Sequence, residues 1–185
     1  MKNRCHWANQ HPLLQEYHDK EWCVPTCNDQ KIFEVLSLEG MQAGLSWLTI
    51  LKKRENYRQA FDHFDIQKVA QYDNNDIQRL LSNSGIIRNK LKVNSIISNA
   101  NCILKMQLEN RSFADYIWSF VDHQPIKNHF EKIEDVPAKT VLSEKMSKNL
   151  KKKGFRFVGP VICYSFMQSI GMIDDHVKDC FKFIY

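Results

Sequence analysis

No stretch of this sequence is apolar for long enough to cross a membrane. The longest uncharged run, residues 157–173, is interrupted by Gly159 and Pro160 and carries Ser165, Gln168 and Ser169. A spanning helix needs about 20 mainly apolar residues. No leader is expected either: the first ten residues, MKNRCHWANQ, are basic but contain no apolar core. A cytoplasmic protein with no membrane partner is therefore expected. Sustained strand alternation, internal repeats and low-complexity tracts are also absent, which leaves helix as the expected fabric. With no sign of secretion, the six cysteines are expected to stay reduced, so metal binding or burial is favoured over disulfides.

What is present bounds the chain further. Its 185 residues, 43% of them apolar, can bury one substantial core, and a single domain over residues 1–185 with its termini packed together is expected. The net charge of +5, from 26 Lys and Arg against 21 Asp and Glu, is modest but clustered. Lys52, Lys53 and Arg54 form one group; Lys148, Lys151, Lys152, Lys153 and Arg156 form another. Either could neutralise phosphates, and either could be a solvated helix face.

Apolar spacing predicts helices over about 46–63, 65–71, 75–81, 89–108, 112–121, 143–153 and 160–170, and one starting at Asp29 as N-cap. Gly40 and Gly44 punctuate the segment that Asp29 opens. Residues 122–137, with Pro125, Asn128 and mixed charge, read as a loop.

Four residues near the ends of the chain are of metal-ligand type. His176 and Cys180 are four apart, so a helical turn would point both from one face. Cys5 and His18 are separated by twelve residues. Two thiolates and two imidazoles are a set that fills a tetrahedral zinc shell. Spacing alone leaves other readings open: unrelated buried cysteines, or Cys23 and Cys27 acting with His18. Three further segments concentrate chemistry. They are YHDKEW at 17–22, LEGMQAGLSW at 38–47, and KGFRFVGP at 153–160, a glycine-bearing turn ahead of an apolar helix. Such a turn can bring backbone N–H groups and a helix N-terminus to a phosphate.

On these segments, together with LKKRENY at 51–57, GIIR at 85–88 and GFRFVGPVICYSFMQ at 154–168, nearly the whole chain resembles the bacterial 3-methyladenine DNA glycosylase I family of the helix-hairpin-helix superfamily. The resemblance implies an all-α glycosylase fold with structural zinc held by Cys5, His18, His176 and Cys180, joining the terminal segments. It implies a monomer acting on double-stranded DNA that contains alkylated bases. Such an enzyme flips out 3-methyladenine and hydrolyses its glycosidic bond. Glu39 is the implied carboxylate of the base pocket; Tyr17 and Trp47 are implied to stack on the base, with Trp7 and Trp22 shaping the wall. Gly44 and Leu45 would fill the gap in the duplex. Lys152, Lys153, Arg156, Gly159 and Ser165 are the expected phosphate-binding surface.

Asp174 falls where other superfamily members carry a catalytic aspartate; its alternative role is a cap on the helix carrying His176 and Cys180. No lysine occupies the place of a Schiff-base nucleophile, so no lyase step is expected. Trp118, outside every motif, reads as core. Leu14 and Cys23 depart from the family pattern, which often has tyrosine and usually glycine there. The rival reading is a zinc-stabilised module that binds damaged DNA without cutting it, against which stands Glu39, a carboxylate that would repel phosphate.

Overall fold

The computed structural model describes residues 2–183 and is built mainly of helices. In chain order these are α1 (Pro12–Lys20), α2 (Asp29–Gln42), α3 (Trp47–Ala60), α4 (Ile66–Ala70), α5 (Asn74–Ser82), α6 (Lys90–Leu108), α7 (Phe113–Trp118), α8 (Val141–Lys152) and α9 (Pro160–Ser169). No helix among the described residues is long and apolar enough to cross a membrane.

Short polar side chains start most of these helices by accepting otherwise orphaned backbone N–H groups. Ser46 caps α3, Asp73 α5, Asn89 α6 and Thr140 α8. The cap of α2 is Asn28, whose Oδ1 accepts from the Lys31 N–H at 2.8 Å, and not Asp29. Asp29 instead reaches across to the start of α7, where it accepts from Phe113 N, Ala114 N and the Ser112 hydroxyl. One carboxylate thereby ties two helix N-termini together.

Helix α2 is the centre of the fold. Residues 32–41 are buried on every side, against α3, α6, α7 and α9, as expected of a helix whose apolar residues do not keep to one stripe. Trp118 is buried, with its indole N–H on the Thr26 carbonyl at 2.8 Å, a core residue as read from the sequence. A smaller apolar cluster joins Cys5, Leu14, Tyr17, Trp22, Leu51 and Cys180, bringing the two ends of the chain together.

Helices α8 and α9 are joined by a tight turn in which Gly154 adopts φ +92°. Asn99 of α6 clamps that turn from both sides, accepting from Arg156 N at 2.8 Å and donating to Arg156 O at 3.1 Å. The turn packs on α2 at Gly40, where an added Cβ would lie 3.3 Å from Phe157 Cβ. The hairpin is therefore seated one residue from Glu39.

Several expectations are corrected. α1 carries no apolar stripe that announces it; its buried residues are only Leu14, Tyr17 and His18. A parallel pair of two-residue strands exists, β1 (Ile126–Lys127) against β2 (Ile173–Asp174), too short to leave an alternating pattern. The segment from His176 to Cys180 is a turn rather than a helix. The first bond a helix would need, from Cys180 N to His176 O, is not made; Cys180 N bonds to Val177 O at 2.8 Å, three residues back, which closes a single turn.

Candidate base pocket and metal centre

Helices α1, α2, α3 and α9 meet around a cavity of about 350 Å³, a size typical of small-molecule sites. Trp7, Tyr17, Trp22, Glu39 and Trp47 all line it. Tyr17 and Trp47 face each other with ring centroids 5.3 Å apart and planes tilted by 57°, while Trp7 and Trp22 meet edge to face at 5.1 Å. Glu39 is 3% exposed. Ser169 donates to its Oε1 at 2.7 Å, and the Tyr17 hydroxyl lies 2.7 Å from Ser169 Oγ. Because the single Ser169 proton is committed to the carboxylate, Tyr17 is the donor in that second bond. A relay from Tyr17 through Ser169 to Glu39 follows.

Burial pushes the Glu39 carboxyl up to about 7, against the opposing pull of the Ser169 bond. The Tyr17 hydroxyl is pushed well above its ordinary value, by burial first and then by Glu39. The Trp47 indole N–H is buried and meets no acceptor among the described residues. The cavity thus offers aromatic faces, a carboxylate that ionises near neutrality and an unused N–H. A second cavity of about 270 Å³ lies across Tyr17, Trp47 and Ser169; Glu39 does not line it.

The remaining wall comes from residues that sequence reasoning left unassigned. α9 contributes Tyr164, Gln168 and Ser169 beside Ser165, and the loop after β1 contributes Val136 and Pro137. The polar pairs 164/168 and 165/169, each four apart on an otherwise apolar helix, are the signal that could have found them. Asp174 does not line the cavity; its Oδ1 accepts from His176 N at 3.1 Å, but the helix it was expected to cap in its alternative role is absent. Leu14 is buried beside Tyr17 in the terminal cluster but is not part of the cavity wall.

Gly44 and Leu45 sit exposed between two residues that line the cavity, Gln42 and Trp47. Gly44 takes φ +77°, and Leu45 is 41% exposed. Lys152, Lys153 and Arg156 are exposed on the α8–α9 hairpin, with Gly159 and Ser165 half-buried beside them. Of these residues only Ser165 lines the cavity itself, and Lys153 Nζ lies over the Tyr116 ring, 5.1 Å from its centroid.

Cys5, His18, His176 and Cys180 converge in a buried group whose ligand atoms all lie within 4.8 Å of one another. Cys180 Sγ is 3.4 Å from His18 Nε2 and 3.5 Å from His176 Nδ1, and Cys5 Sγ is 3.8 Å from His176 Nδ1. A sulfur and a nitrogen on one tetrahedral zinc stand about 3.6 Å apart, so the group is already spaced for a small ion. His18 donates its other ring N–H to Asp19 at 2.9 Å, which leaves Nε2 as the free donor atom. Arg4 grips the same carboxylate with two bonds of 2.8 Å and holds Asp19 well below the usual carboxylate range. Of the two thiols, Cys180 is shifted down and Cys5 up, first through their interaction with each other. The four residues could hold a metal ion. Cys27 is exposed and takes no part. Cys23 lies closer, in a second group with Asp174 and His176, and adopts φ +60°, the conformation for which glycine is the unstrained choice.

Comparison with known proteins accords with this geometry. Residues 7–183 match the model of the methyladenine glycosylase family. The chain is 49% identical over 180 residues to the DNA-3-methyladenine glycosylase of Haemophilus influenzae, covering 97% of each. It is similar to a crystal structure of 3-methyladenine DNA glycosylase I with TM-score 0.96 and 50% identity, covering 98% of this chain and 100% of that one. A Staphylococcus aureus 3-methyladenine DNA glycosylase I, whose structure describes 3-methyladenine recognition, is similar at TM-score 0.94 and 37% identity, covering 98% of this chain and 97% of that one.

Proposed function

Since the chain belongs to the methyladenine glycosylase family, we propose that the cavity between α1, α2, α3 and α9 receives a 3-methyladenine flipped out of double-stranded DNA. The enzyme hydrolyses its N-glycosidic bond and leaves an abasic site. The observation that carries this reading is Glu39, a carboxylate buried among aromatic rings and ionising near pH 7. 3-Methyladenine is cationic while joined to its sugar. Ring faces attract a cation, and an ionised carboxylate complements it. Neutral adenine gains neither benefit.

Extrusion costs about a few kcal/mol of stacking and pairing, least for a damaged base. In this reading Gly44 and Leu45 fill the gap, and the hairpin of Lys152, Lys153, Arg156 and Gly159, with Ser165, holds the backbone phosphates. As the bond from C1′ to the base breaks, its electron pair passes to the ring nitrogen and the base leaves neutral. Water adds to the oxocarbenium carbon and releases one proton. Methylation already makes the base a good leaving group, so strong acid catalysis is unnecessary. Glu39 therefore acts by holding the cationic base, with Tyr17 and Trp47 on its faces and Trp7 and Trp22 at the wall. No lyase step follows.

The metal is zinc, and its role is structural. Cys5, His18, His176 and Cys180 would fill its shell and leave no position for an activated water. A single cytoplasmic domain, acting as a monomer, accounts for the chain. Incubation of the purified protein with methylated duplex DNA, followed by chromatography of released bases, tests the reading, with Glu39→Gln in parallel. Release of 3-methyladenine by the parent and loss in the variant are expected. A folded, DNA-binding protein that releases nothing would instead be a damage-binding module.

A further inference from the structure

Behind the cavity wall lies a second buried carboxylate. Asp175 is fully buried and receives three donors: Asn128 Nδ2 at 2.7 Å on Oδ1, and the Tyr164 hydroxyl at 2.7 Å and Gln168 Nε2 at 2.6 Å on Oδ2. A carboxylate can only accept. It therefore dictates which end of the Gln168 amide faces it, an orientation that would otherwise be open to rotation. With its NH₂ group committed to Asp175, Gln168 is left with its carbonyl oxygen, and no protein donor meets that oxygen among the described residues. Gln168 itself lines the cavity, one residue from the Ser169 that holds Glu39.

We propose that Asp175 and Gln168 together determine which base the cavity accepts. Asp175 turns the Gln168 amide so that its carbonyl oxygen faces the cavity as a second acceptor beside Glu39. Two acceptors favour a base with an amino group at the six-position, as in 3-methyladenine, over 3-methylguanine, which carries a carbonyl there. An acceptor facing a carbonyl leaves both unpaired, and unpaired buried polar groups discriminate strongly. Asp175 is a positioning residue in this scheme, since Gln168 stands between it and the base. The inference rests on the glycosylase reading above.

The test is single-turnover excision from methylated duplex DNA, with 3-methyladenine and 3-methylguanine quantified separately and folding checked by thermal melting. Gln168→Leu removes the acceptor and is expected to lower the 3-methyladenine to 3-methylguanine ratio roughly tenfold, the scale of one hydrogen bond. Asp175→Asn frees the amide to rotate and is expected to lower the ratio similarly. The exchange Asp175→Asn with Gln168→Glu puts a donor behind the wall and returns an acceptor oxygen to the cavity, so it should recover the ratio. A merely structural role would change rates and melting together and leave the ratio alone. An unchanged ratio in Gln168→Leu overturns the proposal, and an unchanged ratio in a folded Asp175→Asn overturns the positioning role. Should Asp175→Asn not fold, the exchange decides, and a ratio no better than that of Gln168→Leu overturns it. A parent protein that releases no 3-methyladenine would refute the glycosylase reading instead.

Discussion

Glu39 illustrates how a single side chain can be placed for function at the expense of stability. Burial lifts its carboxyl from an ordinary 4.5 to about 7. Because the folded-state value is the higher one, the group favours folding most below pH 4.5, and that contribution is lost as the pH rises through 7. Above pH 7 the ionised form opposes folding by on the order of 3 kcal/mol. Glu39→Gln, neutral at every pH, should therefore melt higher than the parent at pH 8, with the gap closing toward pH 4.5. Activity should run the other way: kcat/KM of the parent falls as the pH drops below about 7, while the variant is lower by roughly 10²-fold and flat across that range. Ser169 supplies the one bond that opposes the upward shift. Ser169→Ala should accordingly move the acid limb of the pH profile to higher pH, and an unmoved limb would detach Ser169 from the carboxylate's titration. Glu39 was legible in the sequence because it stands inside a long motif. Ser169 and Asp175 were not, since a serine on an apolar helix and an aspartate beside another aspartate carry no mark of which side chain turns inward.

At the scale of the element, α2 matters less for its length than for how it ends. Lys92 of α6 is buried, with its ammonium on the carbonyls of Met41 at 2.9 Å and Ala43 at 2.6 Å, and burial lowers its pKa. It thus meets the negative end of the helix that carries Glu39 and fixes the turn that presents Gly44 and Leu45. Lys92→Met should leave those carbonyls without their charged partner at a cost of about 1–3 kcal/mol and loosen the turn. Excision from duplex DNA should then fall about tenfold, while free 3-methyladenine, which needs no gap filled, should quench tryptophan fluorescence with unchanged affinity. Equal losses in both assays would mean that Lys92 supports the cavity itself. Elements of this kind were only partly readable. Capped helices with apolar spacing, such as α3 and α6, fall close to where the sequence predicts them. α1 did not, because its inward residues are few and mixed in polarity, and the turn from His176 to Cys180 imitates helical spacing while closing on a bond three residues back, Cys180 N to Val177 O.

Across the whole molecule, the group that could hold a metal and the cavity share a wall. His18 stacks on Trp22 at 5.9 Å with planes 26° apart, His176 meets the same indole edge-on at 4.8 Å, and Trp7 packs against His18 at 5.5 Å. Both tryptophans line the cavity, so the ligand rings brace the surface on which the base would rest. Ligands drawn from both ends of the chain close a loop of roughly 160 residues, and a cross-link of that span contributes about 4–5 kcal/mol if it constrains the unfolded chain as a disulfide does. Stripping the metal with a chelator should lower the melting temperature by about 10 °C. It should also weaken 3-methyladenine binding about tenfold without any change at Glu39, because Trp7 and Trp22 lose their backing. The four metal-ligand-type residues could be suspected from their types near the two termini, but spacing alone could not join residues more than 150 positions apart, nor show that the imidazoles pack against two tryptophans of the cavity wall. A lower melting temperature with unchanged affinity would confine the metal to holding the termini. A chelator that changed neither would show that the four residues hold no ion in the working protein, and their close approach would then rest on packing alone.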